Sequence, residues 1–242
     1  MHATPHVSPL SAPEKRFLAQ SLRIAGATIR KQFWTVSDGR QKRDPSDLVT
    51  NADLASERIV LSALRKHFPS WSVRSEEHGW TRRDSPYLFV LDPLDGTFNF
   101  VLGVPQFSVS LALLHGDDIV SGFVYHPMLD VLYHAHRGGG AWRDHTRLHV
   151  SPERRLSHLT AAYSQGYGIA ERTYFKHLWK LRLLRLMSNW APALDLCLVA
   201  SGRVGAFVSM RNALYDYAAG KLIAAEAGAA IVQLDGTVGG PN

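Results

Sequence analysis

The residues Tyr87 to Leu91, YLFVL, form an unbroken apolar run of strand length that stops on Asp92. With no polar alternation, such a strand is stable only where both of its faces are covered, so the chain is expected to build a sheet with helices packed on it. The motif that follows, LDPLDGT (Leu91 to Thr97), sets Asp92 at the strand end, Asp95 three residues on, and a Gly-Thr pair opening a helix. Two close carboxylates repel and stay ionised together chiefly around a cation, whereas the amides of a Gly-Thr helix start can hold a phosphate oxygen. A metal and a phosphate together account for both halves of the motif. Taken alone, the same residues are also consistent with a type I turn and a helix cap.

A related strand ending, D-x-D-G-T with a nucleophilic first aspartate as in phosphatases of the haloacid dehalogenase type, needs carboxylates at i and i+2 and does not match the i and i+3 spacing here. Upstream, Ser11 and Glu14 make a capping-box pattern, and Leu18, Leu22, Ala25, Ile29 and Phe33 recur at helical spacing. They predict an amphipathic helix behind a loose tail over residues 1–10. A polar connection from Ser37 to Ser46 leads into DLVTNAD and a second helix to about His67, stopped by Pro69. Ser72 to Ser75 reads as a short strand delivering Glu76 and Glu77. From Phe107 to about Trp142, the segments SVSLALL, IVSGFVYHP and VLYHAHRGGGAW, separated by HGDD and PMLD turns, predict an antiparallel meander.

Between Leu156 and Val208 the pattern is mixed, with a helix expected from Pro192 through Ala200 and ended by Gly202. A last helix is expected from Tyr217 to Ala227, capped by Gly228, followed by a final strand AAIVQL. No repeat, low-complexity tract or long linker divides the 242 residues, so one α+β domain over residues 1–242 is expected.

Composition excludes several classes. At 45% apolar residues the chain has ample material for a core and is neither disordered nor fibrous. The longest mostly apolar stretch, Phe98 to Leu114, is broken by Asn99, Gly103, Pro105 and Gln106, so no membrane span is expected. The start, MHATPHVSPLSAPEKRF, lacks the charged and apolar regions of a secretory signal, and the single cysteine, Cys197, allows neither an intrachain disulfide nor a cysteine metal cluster. A cytoplasmic location fits these features. The 27 basic against 21 acidic residues are spread along the chain, so nucleic acid is not the expected partner. His134 and His136 share a face of a predicted strand and, with His78 and His126, are expected to be structural; the basic aromatic stretch Tyr174 to Arg185 is expected to cover a core.

Four blocks together resemble the inositol monophosphatase family: DLVTNAD (Asp47 to Asp53, with Lys42 ahead), FPSWSVRSEE (Phe68 to Glu77), LDPLDGTFNF (Leu91 to Phe100) and LYDYAAGKLIAAEAG (Leu214 to Gly228), the last with Tyr215 in a position usually held by tryptophan. The resemblance implies a layered α/β/α/β/α sandwich of the inositol monophosphatase and fructose-1,6-bisphosphatase type, with a shortened C-terminus. It implies hydrolysis of a small phosphate monoester with two or three Mg²⁺ ions, inhibition by Li⁺, and a homodimer. Glu76, Asp92, the Leu94 carbonyl, Asp95 and Asp216 match the metal ligands; Asp53 and Thr97 match the pair that activates water, with Glu76 beside them in catalysis. Asp95, Gly96, Thr97, Ala191, Ser209 and Asp216 match positions that face phosphate or substrate. Oxygen-only ligands suit Mg²⁺ and argue against zinc.

The substrate side departs from the family. Trp190-Ala191-Pro192-Ala193 stands where a Gly-Ser/Thr-Ala-Ala segment is usual, Ser209 where a glutamate contacts ring hydroxyls, and Gly205 where an aspartate is common. An altered pocket is therefore expected, with histidinol phosphate and sugar phosphates as alternatives to inositol phosphate, and nucleotide phosphate disfavoured by DGTFNF lacking a lysine after DGT. The resemblance also implies a rival of another class, a regulatory binding protein contacting the transcription machinery.

Overall fold

The computed structural model describes residues 9–34, 40–41, 48–164, 173, 176–210 and 212–233. The expectations for residues 1–8, Lys42, Asp47, the connection from Ser37 to Ser46, Tyr174 and the terminal GTVGGPN lie, wholly or in part, outside these residues.

Helix α1 (Ala12–Phe33) begins with the expected capping box: the Ser11 hydroxyl accepts the Glu14 N–H at 3.4 Å, and the Glu14 carboxylate accepts the Ser11 N–H at 2.7 Å. All five residues of its apolar stripe are buried. After a two-stranded ribbon, β1 (Arg40–Gln41) and β2 (Leu48–Val49), helix α2 (Asn51–His67) opens with a second box in which Asp53 accepts the Thr50 N–H at 2.8 Å. Both helices pack on one face of the principal sheet through a core that includes Leu22, Ile29, Val60, Phe89 and Leu111.

That sheet contains β3 (Ser72–Ser75), β4 (Gly79–Thr81), β5 (Tyr87–Asp95), β6 (Ser108–His115), β7 (Asp118–His126), β8 (Val131–His136), β9 (Ala141–Arg143) and β10 (Thr146–Arg147), in the order β10-β9-β8-β7-β6-β5-β3-β4. From β6 to β9 it is the predicted meander, which β5 and β10 extend by one antiparallel strand at either end. β3 instead joins β5 in parallel, and the ladder continues past its end, where the Glu76 N–H donates to the Leu91 carbonyl at 3.1 Å. Glu76 and Asp92 thus leave the sheet at the same edge.

β5 does not stop at Asp92 as the sequence suggested. It runs on to Asp95 with a register irregularity, Asp92 facing Ser110 and Asp95 facing Ser108, so three steps along β5 oppose two along β6. Such a bulge bends the strand and turns its side chains. Helix α3 (Thr97–Val101) follows directly.

The other face of the sheet is covered by α4 (Pro192–Ala200) and α5 (Leu214–Glu226), and beyond them lies a parallel three-stranded sheet, β12 (Arg185–Met187), β11 (Thr160–Ser164) and β13 (Ala206–Ser209) in that spatial order. The layers are therefore helix, sheet, helix, sheet, with residues 173 and 176–178 also helical. The two buried helices approach their neighbours closely because small residues face the contacts: a Cβ on Gly122 would sit 2.7 Å from the Ala219 carbonyl oxygen.

α5 starts at Leu214, earlier than the Tyr217 expected, because the Asp216 carboxylate accepts the Ala213 N–H at 2.8 Å and so closes the first turn. Its far end is tied down by Glu226, whose two oxygens accept the Gly138 and Gly140 N–H groups at 2.8 and 2.9 Å. The predicted strand AAIVQL survives among the described residues only as an isolated bridge at Val232, which is 58% exposed.

Candidate active site

Three elements converge on one edge of the sheet: the ends of β3 and β5 and the first turn of α5. Asp92 and Asp95 are buried at 2% and 3% exposure. Burial above all, then the charges of Glu76, Asp95 and Asp216, holds the Asp92 carboxyl far above the usual carboxylate range, and a hydrogen bond with Glu76 adds to this. Asp95 is raised mainly by burial and also by Asp216 and Asp195, against the opposing pull of Ser108, whose hydroxyl donates to it at 2.9 Å. Crowded in this way, the carboxyl groups resist being charged together unless a cation stands among them.

Among the described residues no group of three or more His, Cys, Asp or Glu side chains is so placed that it could hold a metal ion as it stands. The chemistry of the donor set nevertheless fits a hard divalent cation: the ligands are carboxylate oxygens, and the two on β5, Asp92 and Asp95, are buried where a charge needs a partner.

The Leu94 carbonyl lies beside this cluster and accepts the Thr97 hydroxyl at 2.9 Å; the same hydroxyl lies 2.9 Å from Asp53 Oδ1. Asp53 is fully buried, and burial pushes its carboxyl up to about 6 although Thr50 and Thr97 both hydrogen-bond to it. Between cluster and dyad stands Gly96, with φ +89; a Cβ there would come within 2.9 Å of the Gln106 carbonyl oxygen. Only glycine can make this turn without displacing backbone.

Ala191, at the start of α4, lies against Gly96, 3.3 Å from where that Cβ would be. Trp190 before it holds φ +52, a left-handed conformation unusual for a bulky residue, and packs edge-on against Phe98 with ring centroids 5.1 Å apart while remaining 44% exposed. Ser209 ends β13, paired with Ser164 of β11. Of the residues singled out by sequence, it is the one the geometry ties least to the cluster.

Several supports are invisible in the motifs. Glu57 accepts the Ser75 hydroxyl and, at 2.8 Å, the His78 N–H, fixing the loop that carries Glu76. Its position four residues after Asp53 on α2 was the only local signal. Asn99 donates to the carbonyls of Gln106 and Asn189, both at 2.6 Å, and Asn189 in turn donates to buried Asp195, whose carboxyl burial raises to about 7. Of the histidines, His134 and His136 are half-buried on β8, where burial lowers His136 to about 3, and His126, lowered to about 4, is buried at the end of β7.

The sequence matches the inositol monophosphatase family over residues 13–241. The chain belongs to that family. Among its relatives, an inositol-1-monophosphatase of Mesorhizobium japonicum is 33% identical over 90% of this chain and 85% of its own length, and a protein of Pasteurella multocida named Nus factor SuhB is 34% identical over 89% and 85%. The solved structure of extragenic suppressor protein suhB from Bartonella henselae superposes with a TM-score of 0.85 at 34% identity, covering 90% of this chain and 86% of that one. The family's layered fold and the four motif blocks thus coincide here, and the relative named as a phosphatase supports phosphatase chemistry. Among the described residues no helix is long and apolar enough to cross a membrane.

Proposed function

We propose that the whole chain acts as one catalytic unit, a cytoplasmic homodimer that hydrolyses a small phosphate monoester with Mg²⁺ and is inhibited by Li⁺. The observation that carries this reading is the buried Asp92 carboxyl, pressed upon by Glu76, Asp95 and Asp216. Those four side chains and the Leu94 carbonyl would hold the ions. Mg²⁺ bound there would polarise the phosphoryl oxygens, acidify a water and offset charge on the leaving oxygen.

The remaining work falls to the chain itself. The Thr97 hydroxyl donates its proton towards Asp53 and Leu94, so its lone pairs are left to accept a proton from an attacking water, with Asp53 as the final acceptor. The amides of Gly96 and Thr97 would steady the phosphate. As the new P–O bond forms, the ester P–O bond breaks and the departing alcohol oxygen takes a proton from solvent, with no covalent intermediate on the protein.

Substrate identity rests on the other wall. The Trp190 ring stands where a glycine is usual, and Ser209 offers no carboxylate to ring hydroxyls. Inositol-1-phosphate leads the candidates, with histidinol phosphate and a sugar phosphate behind it. Phosphate release with and without Mg²⁺, across inositol-1-phosphate, histidinol phosphate, fructose-1,6-bisphosphate and a nucleotide monophosphate, tests the reading: Mg²⁺-dependent release concentrated on one compound is expected, and no release at any Mg²⁺ concentration would overturn it.

Relatives named Nus factor support a second reading, a regulatory binding role. Asp92→Asn separates the two, because hydrolysis should fall by roughly 10³-fold or more whereas partner binding should persist.

A further inference from the structure

Outside the carboxylate cluster, the edge of the principal sheet carries a ladder of cations and rings. On β3, Arg74 pairs directly across from Trp80 of β4, and its guanidinium lies 5.4 Å from the Trp80 ring and 6.0 Å from that of Tyr215 at the start of α5. On the outer side of Trp80, the Arg82 guanidinium sits 4.7 Å from the same ring. Trp80 is 47% exposed, and among the described residues no hydrogen bond or ion pair engages the Arg74 guanidinium.

The ladder is joined to the site at two points. Arg74 lies on β3 two residues before Glu76, which follows directly on the strand and carries its ladder with β5 one step further. Tyr215 is the residue before Asp216. A guanidinium that interacts with aromatic rings through its face keeps its N–H edges available, and those edges match the paired oxygens of a carboxylate or phosphate.

We propose that Arg74, steadied by Trp80 and Tyr215, binds a second anionic group on the organic half of the substrate, which favours, over inositol-1-phosphate and histidinol phosphate, an ester with two anionic groups (dianionic in that sense), one phosphate at the carboxylate cluster and a phosphate or carboxylate at its far end. This deepens the phosphatase reading and rests on it. The competing role for Arg74 and Arg82 is to keep an edge strand from pairing with other sheets, which would leave substrate choice untouched.

Three six-carbon probes separate these roles and the two kinds of anion: glucitol 6-phosphate, with a neutral far end; 6-phosphogluconate, with a carboxylate; and glucitol 1,6-bisphosphate. The quantity read is the ratio of kcat/KM for each dianionic probe to that for glucitol 6-phosphate, in the wild type, Arg74→Gln and Arg74→Lys. A wild-type preference for at least one dianionic probe is expected, reduced roughly ten- to a hundredfold by Arg74→Gln through KM and partly restored by Arg74→Lys. An absence of wild-type preference, or a ratio that Arg74→Gln leaves unchanged, would overturn the subsite.

Calorimetric binding of the same probes gives a readout that does not need turnover. If no probe is hydrolysed but the dianions bind the wild type more tightly than Arg74→Gln, the subsite stands and the phosphatase reading falls. Equal binding to both proteins removes the subsite alone.

Discussion

Asp53 is buried so completely that its carboxyl rises to about 6 even with hydroxyl and amide donors aimed at it. A raised value in the fold means that its protonated form is favoured there, so its contribution to stability is complete below the ordinary carboxyl range and is lost as pH rises through about 6. As a proton acceptor it has the opposite dependence. The kcat/KM profile is expected to fall as pH drops through about 6, and Asp53→Asn should abolish that limb together with roughly 10²- to 10⁴-fold of rate. Trp190 poses a balance of similar terms. Replacing it by glycine relieves a left-handed backbone conformation worth about 1 kcal/mol but forfeits an aromatic contact worth ~0.5–1.5 kcal/mol, so stability in urea should move by less than about 1 kcal/mol. Activity on inositol-1-phosphate relative to smaller esters should rise, because the wall beside Phe98 is removed; an unchanged ratio would place Trp190 away from the substrate.

At the scale of elements, the close approach of α5 to the sheet depends on the absence of side chains at Gly122. Gly122→Ala would drive a methyl group into the Ala219 backbone, so equilibrium unfolding should show a loss of about 1–3 kcal/mol rather than the gain a glycine-to-alanine change in a strand would otherwise give. The elements most legible in sequence were those with local signatures: the Ser11 and Glu14 box for α1, the apolar run for β5, and Pro192 for α4. The parts that were hidden depend on partners far along the chain. Ser108 touches Asp95 only because a bulge shifts β5 against β6, and Glu57 meets Ser75 only after α2 packs on the sheet. The start of α5 lies three residues before the position the pattern predicts, because Asp216, matched in the sequence to a ligand, also closes the first turn from its third position. The carboxylate cluster was legible through its motifs; its supporting hydrogen bonds were not.

For the molecule as a whole, Asp92 and Asp95 carry raised carboxyls, so the metal-free protein is most stable where both are protonated and loses that stability as pH rises through their elevated range. A cation competes with those protons and binds only the folded state. The rise in Tm produced by Mg²⁺ should therefore be larger at pH 8 than at pH 5, by several degrees in a calorimetric scan at saturating ion, and should vanish in Asp92→Asn. Helix α5 has a further consequence, because it forms the middle of the sandwich yet follows every strand of both sheets in the chain. On the ribosome, a nascent chain that has not reached Leu214 has only α4 between its two sheets, with the place beside it vacant, and it lacks Asp216. Such a chain must either hold that apolar cleft closed by other contacts or meet a chaperone, and catalytic competence arrives in the same step that seals the core.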